Sequence, residues 1–286
     1  MTINFTMMAQ NSDVEYVRQA TACAMSIRYT NPDSKICLIT NDVVPKKYKG
    51  LFDDIVEIPW EDSANKMSWK IQNRWKSYHA CPYESTIVLD TDMLVLSDIS
   101  HWWEFLKERD LYFVSTPVTY RNEKITSTYY RKAFVNHKLP NIYTGFHYFK
   151  KTDSTHTFYK WLELIMNNWE LFHGQYAGGS YFQKFLSMDV SAAIAVKILD
   201  WERHVTYNTL SYPTFVHMKS HAQNWEKALT DRWQDYVGAY LTDDLTLTIG
   251  NYKQTGIFHY TEDDFLTTDV FEKYERVMCN VNNNSR

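Results

Sequence analysis

Two aspartates at the end of an apolar run are the residues of this chain whose type and spacing most directly suggest chemistry. Residues 87–99 have the sequence IVLDTDMLVLSDI, in which Asp90 and Asp92 follow three aliphatic residues. Such a run is typical of a strand buried on both faces, and ligands of open α/β sheets bind at the carboxyl ends of the strands. Two neighbouring carboxylates repel each other unless a cation lies between them, and divalent cations prefer oxygen ligands. The spacing therefore predicts a metal site at Asp90 and Asp92.

The same Asp-Thr-Asp sequence has a plainer interpretation as a turn whose aspartates cap backbone N–H groups. A second apolar run, at 93–96, favours the metal site, because a turn does not require buried strands beside it.

Composition limits the classes of function. The 286 residues are 44% hydrophobic and 22% charged, as in ordinary globular chains. The net charge of −4 gives no overall basic surface, which weakens a nucleic-acid-binding interpretation. The 21 Tyr, 15 Phe and 10 Trp suit sugar faces and bases, although most of these rings are expected in the core.

The cysteines and the N-terminus bear on location. Cys23, Cys37, Cys81 and Cys279 lack metal-ligand spacing, and the first three are expected to be buried free thiols in a reducing compartment, the cytoplasm. The first ten residues lack a basic region and a long apolar core, so we expect no signal peptide in them. No segment approaches the roughly 20 apolar residues of a membrane span, so we expect no integral membrane segment, and an oligomer is possible.

Strands and helices alternate before the Asp pair, as strand 3–9, helix 14–28, strand 35–40, strand 54–58 and helix 68–79. This alternation predicts a parallel, doubly wound α/β sheet. The later pattern predicts strands at 111–115, 143–149, 213–218 and 256–260 and helices at 99–109, 152–169, 180–187, 191–198, 223–240 and 262–278. The connection 117–141 is long enough to be functional.

We expect a single domain over 1–279 and a disordered tail at 280–286.

With these residues in place, the chain resembles the GT-A nucleotide-sugar glycosyltransferases, most closely family 8, the group of glycogenin and the bacterial galactosyltransferases. Five landmarks occur in the family's order: Tyr16, Ala20, Ser26 and Ile27 on the first helix, then Asp90-Thr91-Asp92, then Tyr143-Thr144-Gly145-Phe146, then Asp189, and last Tyr207-Asn208 with Val216-His217 and Trp225. They span residues 3–226. Tyr143, Val190 and Gln223 depart from the family pattern, which leaves the donor sugar and the subfamily open.

The resemblance implies the GT-A fold, with a Rossmann-like, mainly parallel central sheet flanked by helices. It also implies metal-dependent transfer of a hexose or pentose from a nucleotide-diphosphate sugar, with a UDP-sugar favoured, to a hydroxyl acceptor and with retention. Mn²⁺ or Mg²⁺ would act as a Lewis acid on the departing nucleoside diphosphate. The acceptor stays open among a glycan, a protein, a lipid-linked sugar and a modified nucleobase.

For the metal, the resemblance implies the ligands Asp90, Asp92 and His217. An imidazole among carboxylates favours Mn²⁺ over Mg²⁺. His217 is alternatively a core histidine, and His259, in the similar sequence IFHY, is a rival ligand.

Donor binding is implied for Ala9, Gln10, Asn11, Tyr16, Arg74, Asp90, Thr91, Gly145 and Lys219. Tyr16 either stacks on the base or packs within its helix. Lys70 is an alternative to Arg74, and Lys219 and His221 either contact the diphosphate or are solvated.

Asp189 is the candidate catalytic residue. It would bind a donor-sugar hydroxyl or stabilise an oxocarbenium-like transition state. Its alternative role is that of a helix N-cap, which aspartate also fills well.

Other functions remain open at this stage. One is a glycosyltransferase acting on hydroxylated nucleobases of phage DNA, which the acidic charge disfavours. Another is a nucleotidyltransferase, which normally has a Gly-rich phosphate loop that residues 8–11 lack. A third is an inactive sugar-binding module, against which the presence of Asp90, Asp92 and His217 argues.

Overall fold

The computed structural model describes residues 2–64, 70–126, 131–178, 185–207, 213–223 and 232–284. The strands among them are β1 (Asn4–Met8), β2 (Lys35–Ile39), β3 (Asp54–Val56), β4 (Ser85–Leu89), β5 (Met93–Val95), β6 (Leu111–Val114), β7 (Tyr143–Lys150), β8 (Thr206–Tyr207), β9 (Val216–His217), β10 (Ala239–Leu241), β11 (Leu247–Ile249), β12 (Tyr252–Lys253) and β13 (Ile257–His259). The α-helices are α1 (Tyr16–Thr30), α2 (Ser77–Ala80), α3 (Ser100–Leu106), α4 (Lys132–His137), α5 (Asp153–Asn167), α6 (Trp169–Ala177), α7 (Met188–Leu199), α8 (Glu202–Val205) and α9 (Thr268–Asn284).

The central sheet has the strand order β3-β2-β1-β4-β7-β6-β8. The pairs joining β3, β2, β1 and β4 are parallel, as is the pair of β6 with β8. Only β7 runs against its neighbours, β4 and β6. The predicted α/β class and mainly parallel sheet are therefore confirmed.

Both faces of this sheet are buried, as the continuous apolar runs of its strands require. Alternate residues of β2 point to opposite faces. Ile36 and Leu38 pack in one layer with residues of α1 and α3, whereas Cys37 and Ile39 pack in the other layer with residues of α5 and α7. The aliphatic run before Asp90 is thus fixed from both sides.

A second, three-stranded sheet has the order β5-β13-β9. Strand β5 follows Asp92 directly and pairs antiparallel with β13, which pairs in parallel with β9. A third apolar cluster, which includes Trp233, Phe258 and Tyr274, packs this sheet against α1 and α9. The aspartates therefore lie at the junction between the central sheet and the second sheet.

Several predicted helices differ from the structure. Of helix 68–79, residues 68 and 69 lie outside the described residues, and the rest has only a 3-10 turn at Arg74–Lys76 followed by α2. The segment 223–240 lies partly outside the described residues, and its last part forms β10 instead of a helix. Gly238 precedes β10 and weakens any helix there. The predicted helix 180–187 lies mainly outside the described residues.

The C-terminal helix also differs from the prediction. It begins later than expected, at Thr268, and continues to Asn284. The helix thus extends into the segment 280–286, and the disordered tail expected there stays a prediction. No glycine or proline follows Thr268 to end the helix, and extending a formed helix by one residue costs little.

Two further expectations concern cysteines and membranes. Cys23, Cys37 and Cys81 are buried free thiols, as predicted, and Cys279 is an exposed one. Among the helices of the described segments, none has the length and apolar character needed to cross a bilayer.

Candidate active site

A cleft with two lobes opens where β4 ends. Arg74, Asp90, Lys219 and His259 line both lobes. The first, which we call the Tyr16 lobe, is also lined by Gln10, Tyr16, Lys70, Asp92, Thr261 and Asp263. The second, which we call the Asp189 lobe, is also lined by Arg131, Tyr143, Thr144, Gly145, Asp189 and His217.

Three possible metal ligands meet where the two lobes join. One side-chain ligand atom from each of Asp90, Asp92 and His259 lies within 4.8 Å of the other two. His259 Nε2 is 2.9 Å from Asp92 Oδ2. This contact follows from strand pairing, because β13 places His259 opposite Met93, the residue after Asp92.

This donor set fits a divalent cation. Metal bonds of about 2.1 Å place two ligand atoms of one ion roughly 3 Å apart, close to the separation of His259 from Asp92. Two carboxylates suit Mg²⁺ and Mn²⁺, and the imidazole favours Mn²⁺. The three residues therefore form a possible metal site.

Positive charge surrounds the two carboxylates. Arg74 donates a hydrogen bond from Nη1 to Asp90 Oδ1. Burial alone would raise the pKa of Asp92, but His259 and Arg74 outweigh it, and this pKa lies below its ordinary value. Asp92 is therefore an anion at neutral pH.

His217, which the sequence favoured as the metal ligand, occupies a different position. Its ring stacks on His259 with centroids 5.0 Å apart and planes 10° apart. Among the described residues, the group of metal-ligand atoms contains His259 and not His217. The strand order β5-β13-β9 explains this placement, since β13 lies between β9 and Asp92. A ligand role for His217 stays a prediction, and the position of His259 favours the rival ligand that the sequence also left open. Burial, followed by the charges of His259, Lys219 and Arg131, lowers the pKa of His217 well below its usual value, so this ring is neutral.

Gly145 supports Asp90 through its backbone and by lacking a side chain. Its carbonyl oxygen accepts a hydrogen bond of 2.8 Å from the Asp90 N–H. A Cβ at this position would lie 2.9 Å from Asp90 Oδ2 and 3.0 Å from Met93 Cε. The Asp90 carboxylate thus packs where any other residue would place its Cβ.

Asp189 lies in the first turn of α7 and makes close polar contacts. Thr144 donates to its Oδ1 from the backbone N at 2.9 Å and from Oγ1 at 2.5 Å, and Arg131 Nη1 donates to its Oδ2 at 2.7 Å. Burial would raise the pKa of Asp189, but Arg131 and these hydrogen bonds lower it below the ordinary value. The N-cap of α7 is Ser187, so the alternative of an N-cap role for Asp189 is wrong.

Several of the residues predicted to bind the donor line the cleft. Gln10, Tyr16 and Lys70 belong to the Tyr16 lobe, and Lys219 reaches both lobes. Gln10 is held by Asn73 and Asp62. These placements agree with the predicted roles, which remain predictions.

Other predicted donor-binding residues support the cleft from behind. Ala9 is fully buried, and its N–H donates to the Ile39 carbonyl. Asn11 Oδ1 accepts from the Val17 N–H near the start of α1. Thr91 is buried and donates to Gln19. Ala9 and Thr91 are buried and Asn11 is exposed, and none of the three is among the described residues that line the cleft. The backbone contacts of Ala9 and Asn11 with the base stay predictions. His221 is likewise buried.

Three residues of the cleft carried little signal in the sequence. Arg131 lies in the connection 117–141, at no recognisable motif spacing from Asp189. Asp263 lines the Tyr16 lobe and accepts a hydrogen bond from Gln19. Thr261, which adopts φ +63°, also lines this lobe, and a positive φ is unusual for a β-branched residue. Of the family landmarks, Asn208 and Trp225 lie outside the described residues.

Comparison with known proteins gives no match to any protein-family model and none to a curated protein. Solved structures do match. The apo-form glycosyltransferase GlyE of Streptococcus pneumoniae TIGR4 is 14% identical, with a TM-score of 0.51, over 96% of this chain and 60% of that chain. The galactosyltransferase LgtC, in complex with donor and acceptor sugar analogues, is 12% identical, with a TM-score of 0.51, over 96% of this chain and 94% of that one.

The bifunctional glycosyltransferase WbbM is 14% identical, with a TM-score of 0.50, over 96% of this chain and 51% of that chain. This chain thus spans about 60% of the length of GlyE and about half that of WbbM. At these identities the likeness concerns the fold. The chain has the α/β fold of the GT-A glycosyltransferases, as its sequence predicted.

Proposed function

We propose that this protein is a metal-dependent glycosyltransferase that moves a hexose or pentose from a nucleotide-diphosphate sugar to a hydroxyl acceptor. The observation that carries the proposal is the grouping of Asp90, Asp92 and His259 at the junction of the two lobes. A diphosphate bound there would have its nucleoside on one side and its sugar on the other.

The residues of the cleft suit the two parts of such a donor. Tyr16 is half-buried beside the carboxylates and offers a ring to the nucleoside. Lys219 and Arg74 lie at the junction and offer positive charge to the diphosphate. Mn²⁺ or Mg²⁺ on the three ligands would supply Lewis-acid stabilisation of the leaving diphosphate. Asp189 lies in the other lobe and is held ionised, as is needed to stabilise a developing positive charge on the sugar.

The comparisons support the class of donor and acceptor. LgtC is a galactosyltransferase solved with donor and acceptor sugar analogues, and its fold matches nearly all of this chain. A UDP-sugar donor and retention of configuration rest on the resemblance in sequence. For the acceptor, the net charge of −4 favours a glycan or another hydroxyl compound over DNA.

Thermal unfolding with UDP-, GDP- and CMP-sugars, each with and without Mn²⁺, tests the proposal, because a ligand that binds the native state raises the Tm. The expected result is a rise in Tm with the sugars of one nucleotide, and only when Mn²⁺ is present. Donor hydrolysis is then measured for the wild type, for Asp92→Asn and for Asp98→Asn, whose exposed carboxylate caps Ser100 away from the cleft.

Asp92→Asn is expected to lose the Mn²⁺-dependent hydrolysis, and Asp98→Asn to retain it. Undiminished hydrolysis in Asp92→Asn, or no Mn²⁺-dependent stabilisation by any of the donors, would overturn the proposed function.

A further inference from the structure

Arg131 is fixed on the wall of the Asp189 lobe by stacking and by hydrogen bonds. Its guanidinium carbon lies 3.6 Å from the centre of the Phe134 ring and 3.9 Å from that of Tyr143. Nε donates to Asn141 Oδ1 at 2.8 Å, and Nη2 donates to the Ile142 carbonyl. The Arg131 side chain is only 11% exposed, so few other positions are open to it.

This fixed guanidinium orients Asp189. Arg131 Nη1 binds one carboxylate oxygen at 2.7 Å, which leaves the other oxygen for both donors of Thr144. An Arg–carboxylate pair is directional because the guanidinium is planar. The orientation of Asp189 therefore determines where the backbone N–H of Thr144 is held.

Thr144 in turn leads to the metal ligands. The next residue, Gly145, accepts a hydrogen bond from the Asp90 N–H through its carbonyl, and its Cα packs against the Asp90 carboxylate. A continuous series of contacts thus runs from Arg131 through Asp189, Thr144 and Gly145 to Asp90.

We propose that Arg131 is a positioning residue of the metal site, acting through Asp189 and Thr144 on the backbone segment that supports Asp90. The inference rests on the metal site of the proposed function. It adds that Arg131, on the wall of the Asp189 lobe, determines how well that site binds its cation.

The expected size of the effect follows from known metal sites. Partners that orient a ligand without touching the metal commonly change metal affinity by about 10- to 100-fold when they are removed. Arg131 acts on Asp90 through three residues, Asp189, Thr144 and Gly145, so we expect the lower end of that range.

The test measures binding of Mn²⁺ alone, and of Mn²⁺ with UDP, from the electron paramagnetic resonance signal of free Mn²⁺. Arg131→Met is expected to weaken Mn²⁺ binding by about 10-fold. Arg131→Lys, which keeps the charge but not the planar fork, is expected to weaken it less. Arg121→Met is the matched control, since Arg121 also belongs to this connection, lies over a Tyr ring and pairs with a carboxylate, Glu123.

A loss of folding is separated from a loss of positioning by a double variant. Arg131→Met with Asp189→Asn removes both charges, so that no unpaired buried carboxylate remains. It is expected to be more stable to urea than Arg131→Met alone and yet to bind Mn²⁺ as weakly. Thr144→Val, which removes one of the two Thr144 donors to Asp189, is expected to have a smaller effect in the same direction.

Equal Mn²⁺ affinity in the wild type, Arg131→Met and the double variant would overturn the inference while leaving the metal site in place. An equal loss in Arg121→Met would also overturn it, because the effect would then belong to the connection as a whole. Absence of Mn²⁺ binding by the wild type, with or without UDP, would instead remove the metal site of the proposed function and the inference with it.

Discussion

His259 Nε2 lies 2.9 Å from Asp92 Oδ2, although the two residues are 167 positions apart in the chain. Antiparallel pairing of β5 with β13 brings them together. The first strand of the second sheet begins beside the candidate metal ligands Asp90 and Asp92, and β13, much later in the chain, pairs with it and brings His259 to them. The candidate metal site therefore forms only when both sheets have folded.

The two histidines make different predictions. His259→Ala removes a possible ligand atom that already lies beside Asp92. Loss of a residue that only orients a ligand commonly lowers metal affinity by about 10-fold or more, so Mn²⁺ affinity is expected to fall by at least about 10-fold. His217→Ala removes a neutral ring stacked on His259 and is expected to have a smaller effect. Calorimetric titration with Mn²⁺ measures both. A larger loss for His217→Ala would reverse their roles.

Arg74 holds an oxygen of Asp90 and would compete there with a bound cation. The substitution Arg74→Ala frees a carboxylate oxygen and removes one positive charge beside the site. Mn²⁺ alone is therefore expected to bind on the order of 3- to 10-fold more tightly. Binding of UDP in the presence of Mn²⁺ is expected to weaken, because the diphosphate loses a cation.

Arg28→Ala provides the control for Arg74→Ala. Arg28 pairs with Asp53 at 2.7 Å, and neither residue is among those that line the cleft. Weaker binding of Mn²⁺ alone by Arg74→Ala would contradict the competition.

Gly145→Ala tests the close packing against Asp90. The added Cβ would lie 2.9 Å from Asp90 Oδ2, and either that carboxylate or the backbone must shift. Mn²⁺ affinity is expected to fall by roughly 10-fold, as for other changes that reorient a ligand.

Gly174→Ala is the matched control, since Gly174 lies within α6 and a Cβ there meets nothing within 4 Å. It is expected to leave Mn²⁺ binding unchanged and to stabilise the helix slightly. Unchanged Mn²⁺ affinity in Gly145→Ala would show that the Asp90 carboxylate moves freely.

The sequence predicted the strand that ends at Asp90 because its signal is local. A short aliphatic run followed by polar residues needs no knowledge of the rest of the chain. The helix predicted at 223–240 failed in its described part, where Gly238 and the pairing of β10 with β11 determine the structure. Such pairing is a long-range contact that helical spacing does not reveal.

The position of each histidine relative to Asp92, and the contact of Arg131 with Asp189, could not be predicted in the same way. His217 and His259 both end short apolar strands, and only the order β5-β13-β9 places one beside Asp92. Arg131 lies 58 residues before Asp189, and the ion pair between them is a long-range contact that local sequence patterns do not reveal. The sequence therefore predicts the elements that carry the site better than the contacts between them.

Asp189 leads to a prediction about pH. Its pKa is lowered in the folded protein because Arg131 and the Thr144 donors outweigh burial. A carboxylate with a depressed folded pKa contributes stability above its unfolded pKa, and this contribution is lost as the pH falls through the folded pKa. At pH 7 the free energy of unfolding of the wild type is therefore expected to be larger than that of Asp189→Asn. The difference is expected to shrink as the pH falls. Urea unfolding at a series of pH values measures it.

His147, on β7, also titrates in the acid range, and the charged groups that act on it are Arg74 and Asp189. Burial lowers the pKa of His147 to about 4, so this ring titrates in both proteins and its contribution largely cancels in the comparison. Tyr143, whose pKa burial raises, stays neutral throughout. In Arg131→Met the folded pKa of Asp189 is expected to rise, and the acid loss of stability should begin at a higher pH. A stability difference between wild type and Asp189→Asn that stays constant from pH 7 into acid would show that Asp189 is not held by these charges.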